Sequence, residues 1–108
     1  MNLAQVISEL KPSDANLCIV ARRPWLPNSS AKVVAFNEDY SVPESATLAG
    51  YEYFMGVGTL VEEVLVDIGS GLTTSQRLAA VIFYADHDAY PDWLNAMRRD
   101  NGGNERAA

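Results

Sequence analysis

Residues 17–21 read Leu-Cys-Ile-Val-Ala, an uninterrupted apolar run with no polar alternation. Five residues are too few for a helix, and the β-branched Ile19 and Val20 favour extended backbone. Successive side chains of a strand point to opposite faces, so an all-apolar strand needs cover on both. A chain of 108 residues has room for one core and not for two separate ones. The run is therefore expected to be the central strand of a small sheet, buried on both faces.

The neighbouring segments supply the other elements. Asn2 can cap a first helix, in which Leu3, Val6, Ile7 and Leu10 recur at i, i+3, i+4 and i+7. Pro12 stops that helix and Ser13-Asp14 begins a turn. Arg22 to Ser30 reads as a loop, because Pro24 and Pro27 cannot continue a ladder. Lys32 to Phe36 is a second strand. Pro43 suits the first position of a short helix that Gly50 closes. Tyr51 to Met55 is a third strand, with Tyr51, Tyr53 and Met55 expected on one face.

Two capping-box spacings follow, Thr59 with Glu62 and Thr73 with Gln76. The first predicts a helix with an apolar side of Leu60, Val61, Val64, Leu65 and Ile68, ended by Gly69 or Gly71. The second predicts a stripe of Leu78, Val81, Ile82 and Ala85, widened by Phe83 and Tyr84. Pro91 fits the first turn of a last helix, in which Trp93, Leu94 and Met97 share a face. The fold class is α/β or α+β: a single small domain over residues 1–101, with an approximately three-stranded sheet packed with amphipathic helices. Residues 102–108 are expected to form a flexible tail. The expected core is Leu3, Val6, Ile7, Leu10, Leu17, Ile19, Val34, Phe36, Tyr53, Leu60, Val64, Leu65, Ile68, Leu78, Val81, Ile82 and Trp93.

Charge is unevenly spread. The formal net charge is −6, yet residues 1–36 balance to +2, residues 37–92 to −9 and residues 93–108 to +1. Between residues 37 and 92 ten acids face Arg77 alone. Such a field repels phosphate backbones, which argues against nucleic acid as a partner, and attracts a basic protein surface. No apolar run approaches the ~20 residues of a membrane helix, and no basic region precedes an apolar stretch at the start. One cysteine, Cys18, and one histidine, His87, leave too few soft ligands for a multi-cysteine or multi-histidine zinc site. No metal or other cofactor is expected, and a reducing cytoplasm is the expected setting.

A series of short motifs runs along the chain: Leu3-x-x-Val6, Leu17-Cys18-Ile19-Val20, Val42-Pro43-x-x-Ala46, Gly50-Tyr51-x-Tyr53, Val61-x-x-Val64 and Tyr84-x-x-x-Asp88-Ala89-Tyr90. Over roughly residues 3–94 this series resembles a family of short acidic bacterial proteins of unknown function. The chain departs from that pattern at Gly69-Ser70-Gly71, where the family tends to have an Asn-containing segment. The resemblance implies a free-standing bacterial domain of the kind found beside toxin genes or on mobile gene cassettes.

Candidate chemistry is sparse. Asp86-His87-Asp88 offers two carboxylates beside the only imidazole, but adjacent helix positions point about 100° apart and do not converge. The plainer reading is a solvated helix end, with Asp88 capping the helix that begins near Pro91. Glu62, Glu63 and Asp67 are either an acidic cluster, with Asp86 and Asp88, or the outer face of an amphipathic helix. Arg22, Arg23, Trp25 and Lys32 form the one basic-aromatic group, suited to an anionic ligand; the plainer reading makes Trp25 a core anchor. Cys18 lies mid-strand in apolar company, where thiols are inert, and Ser29-Ser30 lacks the setting of a catalytic serine. Gly56-x-Gly58 is half a phosphate loop at most and reads better as a strand-to-helix turn. No catalytic residue is assigned.

Two functions fit these observations. The first is a protein-binding module, of the toxin-neutralising or gene-cassette kind, meeting a basic protein through Glu62, Glu63, Asp67, Asp86 and Asp88, with homodimerisation open. The second is a small-ligand-binding domain using the Arg22–Trp25 loop with Lys32, or an enzyme of unrecognised type.

Overall fold

The computed structural model describes residues 1–69 and 71–97. The expected tail and the end of the expected domain lie outside the described residues. Three strands, β1 (Leu17–Ala21), β2 (Ala31–Ala35) and β3 (Glu52–Gly56), form one antiparallel sheet in the order β2-β1-β3. Around it lie α1 (Leu3–Glu9), a 3-10 turn (Pro12–Asp14), α2 (Glu44–Leu48), a long helical segment α3, α4 (Thr74–His87) and a last helix α5 over residues 92–97. Within α3, α-helical Val57–Thr59 passes into π-helical Leu60–Val64 and then α-helical Leu65–Ile68. The architecture is α+β.

β1 is the centre of the sheet, and its alternation divides the interior in two. Ile19 and Ala21 belong to the larger core, with Leu3, Val6, Trp25, Phe54, Leu60, Val64 and Val81. Cys18 and Val20 belong to a smaller core with Ala46 of α2, against which Val34, Phe36, Val42 and Tyr51 pack. The apolar run is therefore covered on both faces, as its composition demands.

β3 departs from simple alternation. Ile19 pairs with Met55 and Val20 with Tyr53, so Phe54 is an extra residue opposite no partner. Such a bulge sends two consecutive side chains to one side. Phe54 and Met55 are both buried in the larger core, while Tyr53 turns to the other face, beside Phe36, and is 49% exposed. The expected shared face of Tyr51, Tyr53 and Met55 is thus corrected, and Phe54 takes the core place assigned to Tyr53. A similar exchange occurs in α5, where Leu94 is buried at 2% exposure and Trp93 is 39% exposed.

Two helix starts also differ from expectation. α3 begins at Val57, directly after Gly56, so Thr59 lies inside the helix and makes no side-chain cap. Gly58 is pressed there against the residue after the 3-10 turn: a Cβ at this position would stand 2.9 Å from the Ala15 carbonyl oxygen. Pro43 is the residue before α2 rather than its first turn. By contrast Asn2 with Gln5, and Thr73 with Gln76, form complete capping boxes, with bonds of 2.8–3.1 Å. In α4 Ala80, Val81 and Ile82 are buried, while Phe83 leans outward onto His87 at 4.3 Å between ring centroids. Phe83 therefore does not widen the buried stripe.

Candidate functional site

The loop leaving β1 separates the four basic-aromatic residues that the sequence groups together. Arg22 and Arg23 are consecutive, and their side chains go to different places. The Nη2 of Arg22 donates to the Ala49 carbonyl, 2.8 Å away at the end of α2, and its guanidinium lies 4.9 Å from the Tyr51 ring centre. The Lys32 ammonium lies 4.8 Å from the same ring. The Tyr51 hydroxyl is 2.8 Å from that of Ser30. Two cations thus converge on one ring at the rim of the smaller core.

Arg23 belongs to a second group. Its guanidinium lies 3.8 Å from the Trp25 ring centre, and it pairs with Asp86 (Nη1–Oδ1 2.6 Å) and Glu52 (Nε–Oε2 3.2 Å). Trp25 is buried, meets Phe54 edge to face at 5.0 Å, and donates from Nε1 to the Ala21 carbonyl at 3.3 Å. It is a core anchor, and Arg23 is held on its outer side by two carboxylates. Arg22 with Lys32 and Arg23 with Trp25 are consequently two places, not one. Tyr51 is the member sequence reasoning missed; the only signal for it was an aromatic residue next to Gly50.

The acidic candidates also divide. Glu62, Glu63 and Asp67 are exposed along α3, around Val66, which is 67% exposed. The Tyr90 hydroxyl donates to Asp67 Oδ2 at 3.0 Å, and the Tyr90 ring stacks on Tyr84 of α4 at 4.9 Å. These aromatics tie the acids of α3 to the carboxyl end of α4. There Asp86 is engaged by Arg23, and His87 stacks on Phe83. Asp88 does not cap the following helix. It ends α4 in left-handed backbone (φ 54°), its N–H donating to the Tyr84 carbonyl at 2.8 Å. The next helix starts from the Pro91 carbonyl, which accepts from Leu94 N–H. Among the described residues no group of three or more His, Cys, Asp or Glu is placed to hold a metal ion.

The remaining nucleophile candidates have structural places. Ser29 Oγ accepts from Leu26 N–H at 2.8 Å and donates to the Pro24 carbonyl at 2.6 Å, tying the loop. Cys18 is fully buried, and burial raises its thiol pKa. No polar or charged side chain is buried among the described residues. The surface grooves are shallow: about 390 Å³ between α1 and α4, about 340 Å³ between α1 and β2, and about 200 Å³ beside β3. No described helix is long and apolar enough to cross a membrane. Compared with family models, curated proteins and solved structures, the chain matches none.

Proposed function

We propose that the chain is a small bacterial protein-binding module, of the toxin-neutralising or gene-cassette kind, whose acidic surface meets a basic face of a partner in the cytoplasm. One observation carries this reading. All ten acids between residues 37 and 92 are exposed, and among the described residues only Glu52 and Asp86 have a cation beside them, the shared Arg23. The others keep their field in solvent, where it steers an oppositely charged protein. On α3 the exposed Val66 stands among Glu62, Glu63 and Asp67, an apolar centre with a charged rim.

The test is an affinity capture from the native host, repeated with the Glu63→Lys/Asp67→Lys double variant. Wild type is expected to retain a basic protein whose association rate falls steeply between low and physiological salt. The double variant loses the exposed Tyr90–Asp67 hydrogen bond, worth about 1 kcal/mol, and is expected to keep the fold and associate more slowly. A partner whose association rate ignores both salt and the reversal would defeat the reading.

An alternative rests on Arg22 and Lys32, which have no carboxylate partner among the described residues and converge on Tyr51. On this reading the domain binds a small anion there. Titration with inorganic phosphate should then shift the Arg22 Nε and Tyr51 ring resonances in saturable fashion, and Lys32→Ala should abolish the response.

A further inference from the structure

β2 lies at the edge of the sheet, and the start of its outer side is already bridged by the first residues of the chain. The Arg22 N–H donates to the Ser30 carbonyl at 2.9 Å, which sets the phase of the β1–β2 ladder. Peptide groups of Lys32 and Val34 then face β1, and those of Ala31, Val33 and Ala35 face outward. Ala31 N–H donates to the Met1 carbonyl and Leu3 N–H to that of Ser29, both at 2.9 Å, so Asn2 bridges Ser30 in antiparallel fashion. The first residues of the chain thus extend the sheet over the beginning of β2. Further along, the outward N–H and C=O groups of Val33 and Ala35 meet no described residue. A row of this kind is a template for pairing with another chain.

A groove of about 340 Å³ runs beside that row, between β2, α1 and the 3-10 turn. Val6, Leu10 and Val33 give it apolar walls, and Glu9 and Asp14 line it. Lys32 borders it too, but its ammonium lies over the Tyr51 ring, on the other face of the sheet. Met1 completes the lining, and the acidic side chains of the groove are Glu9 and Asp14. Neither Glu9 nor Asp14 has a cation beside it among the described residues.

We propose that the β2 edge takes an extended segment of a partner protein as an added strand. An apolar side chain of that segment rests on Val6, Leu10 and Val33, and a basic one faces Glu9 and Asp14. Backbone bonds to Val33 and Ala35 supply affinity, and the alternate side chains supply selectivity. The site is separate from the acidic surface of α3 and α4 and does not rest on it.

The test uses the full chain, labelled with nitrogen-15, and an end-capped peptide Val-Thr-Lys-Thr-Val-Thr-Lys, whose valines and lysines are two apart and share one face of a strand. The control is the same peptide N-methylated at every amide, which keeps its charge but has no N–H on either edge to complete a ladder. The Val33 and Ala35 amide signals are expected to shift on titration and to exchange their hydrogens about tenfold more slowly at saturation. The N-methylated peptide is expected not to bind. Glu9→Lys/Asp14→Lys is expected to weaken the unmodified peptide about tenfold while leaving the rest of the spectrum in place. Val33→Pro removes one outward donor and is expected to abolish binding; should it unfold the chain, the methylated peptide and the charge reversal still decide. Unmoved Val33 and Ala35 signals, or equal binding of the two peptides, would overturn the proposal. So would protection that grows with protein concentration alone, which would assign the edge to a second copy of the chain.

Discussion

At the residue scale, the chain turns on a few side chains that each hold two parts of the fold. Trp25 joins the loop after β1 to Phe54 of β3, and Arg23 covers it while linking Glu52 to Asp86. Trp25→Ala should cost about 3–5 kcal/mol in denaturant unfolding, through lost burial and the cavity left behind. Arg23→Ala should cost far less, about 0–1 kcal/mol, because its ion pairs are half in solvent. Cys18 gives a pH prediction with a definite sign. Burial holds its pKa above the ordinary thiol value, so the native state keeps a proton that the unfolded chain releases. Its contribution to stability is complete below the unfolded thiol pKa and is lost as pH rises through the folded one. Alkaline unfolding of the Cys18→Ala variant should accordingly be less steep with pH, and a thiol reagent should modify native Cys18 far more slowly than the unfolded chain.

At the element scale, local signals decided the starts of α1 and α4, which carry capping boxes, and misplaced those of α2 and α3. The Thr73 and Gln76 pair was legible because a capping box needs only residues three apart. Thr73→Ala should lower stability by about 1 kcal/mol, read from the unfolding midpoint. Thr59 and Glu62 show the same spacing without the structure, because β3 runs into α3 at Gly56 and the helix is under way before Thr59. At the end of α4, Asp88 holds a left-handed conformation that glycine adopts freely. Asp88→Gly should therefore stabilise the fold by about 0.5–1 kcal/mol, seen as a raised unfolding midpoint. The bulge at Phe54 was not legible, since nothing in Tyr-Glu-Tyr-Phe-Met marks where the ladder slips; the slip is set by the pairing with Ile19 and Val20.

At the scale of the whole molecule, charge is the dominant surface property. The net charge is −6, and among the described residues the exposed acids greatly outnumber the cations paired with them. Self-repulsion of this kind is screened by salt over about 10 Å at 0.1 M. The unfolding midpoint should rise between about 10 and 150 mM sodium chloride, provided the ion is not itself bound. The two candidate protein contacts respond to salt for the same reason but lie on different surfaces, so variants in α3 and at Glu9 and Asp14 separate them.

The apolar run at residues 17–21, the helical stripes and the run of acids were readable because each depends on neighbours within a few positions. They determine the central strand, a small sheet packed with helices and the sign of the surface, while the choice of α+β over α/β came from the antiparallel pairing of the strands. Which residues meet across the chain was decided only by tertiary structure. Arg22 and Arg23 are adjacent in sequence, yet Arg22 ends at Ala49 and Tyr51 while Arg23 ends at Glu52 and Asp86. The open edge of β2 is likewise a property of strand order: the same five residues placed between two strands would have no outward peptide groups left to pair.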